Sequence, residues 1–546
     1  MAAAPCFAKI WSGPRDSHNK LSRRWQSGAQ QGIICLHKMD HRAPSKQAQV
    51  PRVLQPATPY KDRSVTPKVN RRTKIVATIG PGSESEPMLA KLIDAGVNVF
   101  RLNFSHGSAE HHAEVARRIR KQAASAGKYV GILADLQGPK IRISSFRDGA
   151  VELTRGARFQ LDLALGDDEG TAQAVGLDYP ELCTSVSAGD TLLLDDGRLR
   201  LSVDDVGAGT VDCTVVVGGK LGSRKGINRL GGGLAAPALT TKDIADIDSL
   251  AQVKPDFVAV SFVSSANDIF QTRDLLQQHQ LSPAIIAKIE RAEVVADQDA
   301  LNRILEAGFG IMVARGDLGV EVGDAQLIGI QKDLISRARK SDRIVITATQ
   351  MMESMISSPM PTRAEVFDVA NAVLDGTDAV MLSAETAVGS FPEEVVKAMA
   401  EAALGAERHP VARTSRYRLD KQFASAQETI AMSAIYAANH YANVRGIACL
   451  TESGTTPLLM SRLSSGLPIF ALSNRSETLQ KLCLCRGVVP LYFDADAIEQ
   501  GAIEALAIEF LQGEGYLQQG DSILLTRGSV MGSPGATNIM KILPVA

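Results

Sequence analysis

The chain has 546 residues, with 59 Lys and Arg against 60 Asp and Glu, so its formal net charge at pH 7 is −1. At about 150 residues per domain this length predicts some three domains, one of them large, and the balanced charge argues against a nucleic acid or an anionic membrane as partner. No apolar run approaches the ~18 residues of a membrane-crossing helix, and the seven cysteines, with Cys483 and Cys485 too close for a CxxC pair, read as free thiols of a reducing cytosol.

Residues 1–70 hold 12 Lys or Arg but only three acids, Asp16, Asp40 and Asp62, and lack hydrophobic periodicity, so this arm is expected to be disordered. The expected location is cytoplasmic. The arm's Arg- and Ser-rich composition also fits an organellar transit peptide, which would place the chain in an organelle, and Met39 is an alternative start.

From residue 72 onward, short Val/Ile/Ala-rich runs alternate with helical segments, the pattern of parallel strands buried on both faces. Eight such runs are expected as strands: 75–79, 97–104, 130–137, 257–262, 285–290, 310–317, 344–350 and 379–383. Eight strand–helix units predict an α/β fold of the (β/α)8 TIM-barrel type over residues 71–143 and 237–410. The spacing breaks once. Residues 144–236 alternate apolar and polar residues between Gly/Asp turns, as in Arg158-Phe-Gln-Leu-Asp-Leu163, and read as an inserted small β domain. Residues 411–546 form a further α/β unit, with strands expected at 446–450, 469–472, 522–526 and 538–543.

Active sites of such barrels lie at the carboxyl ends of the strands. With a period of two, Arg101, Asn103 and Ser105 share one face at the end of the second run, an arrangement suited to anion and cation binding. In the fifth run Lys288 and Glu290 likewise share a face, and the sixth ends Arg315-Gly-Asp-Leu-Gly319. Two carboxylates, Glu290 and Asp317, with open positions around them suit Mg2+ or Mn2+. An ammonium beside them, Lys288, can offset charge on a transferring phosphoryl group and on a developing enolate. The seventh run presents Thr349 at the same rim. Thr362-Arg-Ala-Glu365 reads instead as a capping box that opens a helix to about Asp375, with Gly376 ending it. In the last unit, Thr451-Glu-Ser-Gly-Thr-Thr456 follows a buried strand and precedes a helix, a setting for phosphate.

The strings Thr78-Ile-Gly-Pro81, Arg101-Leu-Asn-Phe-Ser-His-Gly107, Lys225-Gly-Ile-Asn228, Lys288-Ile-Glu290, Arg315-Gly-Asp-Leu-Gly319, Ala348-Thr-Gln-Met-Met-Glu-Ser-Met355 and Pro361-Thr-Arg-Ala-Glu-Val366 together resemble the pyruvate kinase family, collinearly over residues 72–546. The resemblance implies transfer of a phosphoryl group from phosphoenolpyruvate to ADP, giving pyruvate and ATP. It further implies a barrel, an inserted β-barrel lid, a C-terminal regulatory domain and a homotetramer. By position it makes Lys288, Arg101 and Thr349 catalytic, and Glu290 and Asp317 the divalent-metal ligands. Substrate and nucleotide are expected at Arg101, Asn103, His106, Arg142, Lys225, Gly316, Asp317 and Thr349. A phosphorylated allosteric effector is expected at Thr451, Ser453, Gly454, Thr455 and Thr456.

One departure from the family pattern is informative. Members that need K+ carry Thr and Glu where this chain has Leu136 and Lys140. In the monovalent-cation region of Asn103, Ser105, Asp135 and Leu136, an oxygen ligand is lost and a tethered cation gained. The expectation is that Lys140 replaces K+ and that K+ is not required. A barrel lyase acting on an enolate shares the metal chemistry but leaves the insert and the last domain unexplained.

Overall fold

The computed structural model describes residues 71–234, 236–413, 421–530 and 535–546. The basic arm of residues 1–70, with its expected disorder and targeting role, lies outside the described residues. Among the described residues no helix is long and apolar enough to cross a membrane.

Eight parallel strands close a barrel: β1 (Lys74–Thr78), β2 (Val99–Asn103), β3 (Gly131–Asp135), β4 (Phe257–Val260), β5 (Ala284–Ile289), β6 (Gly310–Ala314), β7 (Ile344–Ala348) and β8 (Ala379–Leu382). Each pairs with its sequence neighbour, and β1 pairs with β8 to complete the ring. The period of two sorts each strand into two buried rows. Val76, Val99, Leu133, Ile286, Met312 and Ile346 fill the interior. Ile75, Phe100, Ile132, Ile285, Ile311 and Val345 pack outward under the helices. The interior row continues at the carboxyl ends as Arg101, Asp135 and Lys288, two residues beyond Val99, Leu133 and Ile286, so a dry core gives way to charge at one mouth. The helices close with ordinary capping chemistry. The helix Arg363–Asp375 has the Thr362–Glu365 capping box read from the sequence and ends at Gly376, whose φ of 96° favours glycine.

The sixth run differs from its expected form. The strand stops at Ala314, and Arg315–Val322 is a short helix, so Asp317 sits in a first helical turn and not on a strand end. The cause is local. Arg315 turns back to donate to the carbonyls of Ala348 (3.2 Å) and Thr349 (2.6 Å), which pulls the chain out of the extended conformation.

Between β3 and β4 lies the all-β insert, a six-stranded sheet and a two-stranded ribbon around one core that includes Phe146, Phe159, Leu192, Leu201 and Leu221. Its entry and exit strands run side by side, with Ile143 N donating to Lys225 O (3.0 Å) and Ile227 N to Ile141 O (3.1 Å). The last unit is a five-stranded sheet ordered Val488–Tyr492, Ile469–Ser473, Val444–Leu450, Ser522–Gly528, Thr537–Pro544, with only the final pairing antiparallel. Val488–Tyr492 is not among the strands expected from sequence. It contains Pro490, which argues against a central strand, and the structure puts it at the sheet edge, where a missing N–H is tolerated. Cys449, Cys483 and Cys485 are buried free thiols, each pushed up to about 12 by burial, and therefore held as inert thiols.

Barrel and last unit are joined by a buried ion pair. Both side chains, Arg462 and Asp378, are 1% exposed, and Arg462 Nη1 lies 2.7 Å from Asp378 Oδ2. Removing one partner of such a pair strands the other charge. Arg462→Met is therefore expected to lower unfolding stability by about 3–5 kcal/mol, read as a lower midpoint in urea, and Arg462→Met/Asp378→Leu to recover part of it.

Candidate active site

The mouth at the carboxyl ends of the strands is organised around Asp135, the last residue of β3, whose side chain is 1% exposed. One oxygen lies 2.5 Å from Arg101 Nε and the other 3.4 Å from Lys288 Nζ. Arg101 is held further by donating to Thr78 Oγ1 at 3.0 Å. Lys288 donates to Ser261 Oγ at 2.7 Å, and the Ser261 hydroxyl donates in turn to Leu136 O at 2.7 Å. Burial alone would raise the Asp135 carboxyl, but Arg101 and then Lys288 hold it below the ordinary carboxylate range. For Lys288, burial would favour the neutral amine. Asp135 and Glu290 outweigh it and hold the ammonium well above its ordinary value, so it stays charged.

Glu290 follows β5 and is fully buried. Its Oε2 accepts from Phe262 N at 2.6 Å, while Oε1 lies 3.0 Å from Lys288 Nζ but off the hydrogen-bond direction, leaving that oxygen without a hydrogen bond. Burial pushes the Glu290 carboxyl up against the pull of Lys288, and the Asp317 charge adds to the push. Asp317 is 27% exposed and lies 3.6 Å from Lys140 Nζ. A buried carboxylate oxygen lacking a donor and a second, solvent-facing carboxylate are donors that fit a hard divalent cation. Among the described residues no group of three or more His, Cys, Asp or Glu side chains could enclose a metal.

Thr349 follows β7 with φ of 69°, a strained position for a branched residue. Its hydroxyl donates to Ala348 O (2.6 Å) and accepts from Gly316 N (2.8 Å), so it is fixed beside the turn that carries Asp317. Gly138 is also under constraint. At φ of 70°, a Cβ there would lie 2.6 Å from Ser261 Cβ, so glycine lets the β3 loop pass over the residue that positions Lys288.

The remaining expected residues are spread around this centre. Asn103 ends β2 and accepts from Ser105 N at 3.3 Å. His106 is exposed, its carbonyl 2.8 Å from His112 Nε2. Arg142 and Lys225 lie side by side where the chain enters and leaves the insert, Arg142 donating to Arg224 O (3.1 Å) and Lys225 lying 2.7 Å from Asp195. Leu136 is buried, with only its backbone polar groups engaged near the mouth. Lys140 reaches Asp317 and, at 3.8 Å, Asp196 of the insert, and no ion pair joins it to Asp135. An open cleft of about 320 Å3 between insert and barrel is lined by Lys140, Asp196, Arg200, Gly316, Asp317 and Gln350, among others. Sequence reasoning assigned no role to Thr78, Ser261 or Arg315. Thr78 ends β1 and Ser261 directly follows β4, so the strand-end rule that singled out Arg101 could have found both.

Comparison with known proteins now decides the family. Residues 70–396 match the family model for the pyruvate kinase barrel domain, and residues 428–543 that for its alpha/beta domain. The chain is 54% identical over 476 residues to pyruvate kinase II of Salmonella typhimurium, covering 87% of this chain and 99% of the relative. It is 55% identical over 458 residues to pyruvate kinase of Haemophilus influenzae, covering 84% and 96%. The Geobacillus stearothermophilus pyruvate kinase is 41% identical over 484 residues. The chain belongs to the pyruvate kinase family. It is a phosphotransferase that converts phosphoenolpyruvate and ADP to pyruvate and ATP with a divalent metal.

Because Asp135 orients both Arg101 and Lys288, Asp135→Asn is expected to lower kcat of this pyruvate kinase by about 10²-fold, the cost of a small misplacement of catalytic groups. Steady-state kinetics check this, and an unchanged kcat would show that the two cations hold position without it.

Proposed function

We propose that the mouth described above carries out the phosphoryl transfer with Arg101, Lys288 and Thr349 as its working side chains. The observation that carries this reading is the cluster Arg101–Asp135–Lys288–Glu290 at the carboxyl ends of β2, β3 and β5. Arg101 binds the phosphoryl group: with its Nε fixed on Asp135 and Nη1 on Thr78, it keeps Nη2 for that group. Lys288 holds its positive charge beside the developing enolate oxygen, where a fixed cation in a dry site stabilises the transition state. Thr349 lies at the face on which the enolate gains its proton. Glu290 and Asp317 would hold Mg2+ or Mn2+, which supplies Lewis-acid neutralisation of the phosphoryl charge. His106, Arg142 and Lys225, with Asn103 nearby, meet the nucleotide phosphates. Closing the insert as a lid brings in Arg142 and Lys225 and excludes water.

Lys140 supports a K+-independent reaction. Its ammonium already sits between Asp317 and the insert, so a positive charge is built in where relatives with an acid would recruit a free cation. The expected result is phosphoenolpyruvate- and ADP-dependent pyruvate formation with Mg2+ in K+-free buffer. KCl at matched ionic strength should change it little, EDTA should abolish it, and Lys140→Glu should make it K+-dependent. Strong K+ stimulation of the parent would remove the Lys140 assignment and leave the kinase reading standing.

Regulation by a phosphorylated metabolite is proposed at the turn 451–456. Gly454, with φ of 79°, donates to Thr451 Oγ1 at 3.0 Å, and the Ser453 and Thr455 hydroxyls lie 2.9 Å apart. Thr456 is buried, its hydroxyl held by Gln427 (2.7 Å) and Thr537 (2.8 Å), so it supports the turn from behind. A cytoplasmic homotetramer is proposed with it. Met360 and Phe367, 73% and 70% exposed near one helix, are the kind of apolar surface that a second copy covers. Sugar phosphates or AMP are expected to lower the KM for phosphoenolpyruvate, and Ser453→Ala to blunt the effect. A panel without effect on either enzyme would refute it.

A further inference from the structure

Strand β5 runs on into Glu290 and Arg291, and the extended backbone of Arg291 (φ −104°, ψ 134°) sends these two side chains to opposite sides. Glu290 meets Lys288 in the mouth. Arg291 turns away from it, is 4% exposed, and spends its guanidinium on backbone carbonyls. Its Nε donates to Phe262 O at 2.8 Å, Nη2 to Ala236 O at 2.7 Å and Nη1 to Leu234 O at 3.4 Å. Its ion-pair partner, Glu293 at 3.4 Å, is 43% exposed, so the carbonyls and not the carboxylate set where the guanidinium lies.

Those carbonyls belong to two segments on which the site depends. Phe262 lies two residues past β4 with φ of 51°, a costly conformation for a bulky residue that persists only where its surroundings impose it. Its N–H donates to Glu290 Oε2 at 2.6 Å and its carbonyl accepts from Arg291, so two consecutive side chains hold one strained residue from both ends. The Phe262 amide thereby fixes one oxygen of Glu290 and leaves the other buried without a hydrogen bond. Leu234 and Ala236 lie where the chain returns from the insert to the barrel, just after Gly231, Gly232 and Gly233, whose φ values of 91°, 79° and 91° all favour glycine. Three such residues in succession mark the pliable point of this return, a hinge for the insert. The hinge packs on the segments that carry the carboxylates. Gly231 N donates to Glu321 O at 2.8 Å, Glu321 Oε2 accepts from Ala292 N at 2.7 Å, and a Cβ on Gly232 would lie 2.5 Å from Glu293 Oε2.

We infer that Arg291 is a positioning residue for the divalent-metal site, coupling the hinge of the insert to the aim of Glu290. This rests on the reading of Glu290 as a metal ligand given above. The groups that hydrogen-bond to a ligating carboxylate fix its orientation and, through it, the affinity of the site. Here that group is the Phe262 amide, and its place is set by a guanidinium whose other nitrogens are set by the hinge. A displacement of Leu234 and Ala236 pulls on Arg291, which shifts the Phe262 peptide and with it the direction of Glu290. By linkage the coupling runs both ways, so a cation that fixes Glu290 also steadies the hinge.

The test measures Mn2+ binding to the full chain without substrates, by electron paramagnetic resonance, together with hydrogen exchange in peptides spanning residues 229–236. Arg291→Met is expected to raise the Kd for Mn2+ by about 10-fold, the usual effect of losing a group that orients a ligand. Saturating Mn2+ should slow exchange at 229–236 in the parent and leave it unchanged in Arg291→Met, a metal response that a purely structural arginine would not control. If Arg291→Met does not fold, Arg291→Lys, whose single nitrogen cannot replace both Nε and Nη2, is expected to show the same two changes to a smaller degree. Glu290→Gln tests the underlying reading: unchanged Mn2+ affinity in that variant would remove Glu290 as a ligand and the proposal with it. Weakened binding in Glu290→Gln beside parent-like affinity in the arginine variants, or hinge exchange in the parent that ignores Mn2+, overturns the role of Arg291 alone.

Discussion

A single buried carboxylate, Asp135, sets the arrangement of the catalytic mouth. It is almost fully enclosed, and an enclosed anion persists only if it is paired and hydrogen-bonded. Arg101 and Lys288 are its two partners, Lys288 being shared with Glu290 at 3.0 Å, and both cations are thereby held inside the mouth. The same anion keeps two cations close together that would otherwise repel. The cost of burying three charges in one place is met by their mutual geometry, and that geometry in turn requires β2, β3 and β5 to end at the same height in the barrel. The packed interior below, from Val99, Leu133 and Ile286 downward, provides that alignment.

The mouth is also a charge balance. Three carboxylates, Asp135, Glu290 and Asp317, are matched by three cations, Arg101, Lys140 and Lys288. Without ligands the cluster is close to neutral, so a divalent ion, if held at Glu290 and Asp317 as proposed, would leave a positive surplus that a phosphorylated, carboxylated substrate could match. The balance depends on Lys140. With an acid at that position the cluster would be short of two positive charges, a deficit that a free monovalent cation could only partly fill.

Much of this was legible in the sequence because strand periodicity is strict. The eight runs, the break at the insert and the inward face of Arg101 and Lys288 all follow from a period of two and from loop composition. So does the Thr362 capping box, whose chemistry is local. What was not legible depends on long-range contacts. The switch from strand to helix at Arg315 is driven by carbonyls of residues 348 and 349, which no local pattern announces. Val488–Tyr492 was hidden by Pro490, because an edge position is a property of the whole sheet. The roles of Thr78 and Ser261 could not be told from those of ordinary strand-end hydroxyls until Arg101 and Lys288 were seen against them.

The position of Lys140 has a further consequence for the insert. Its ammonium lies within ion-pair distance of Asp317 in the barrel and Asp196 in the insert, and the adjacent Asp195 is held by Lys225. Asp195 and Asp196 occupy one tight turn, with φ of 50° and 55°, so the two carboxylates cannot move independently. Rotation of the insert toward or away from the barrel would therefore change the Lys140–Asp196 separation, while the Lys225–Asp195 pair, both within the insert, moves as a unit. The ammonium that balances charge at Asp317 is thus also the one that bridges barrel and insert, so the charge at the mouth and the seating of the insert share one side chain.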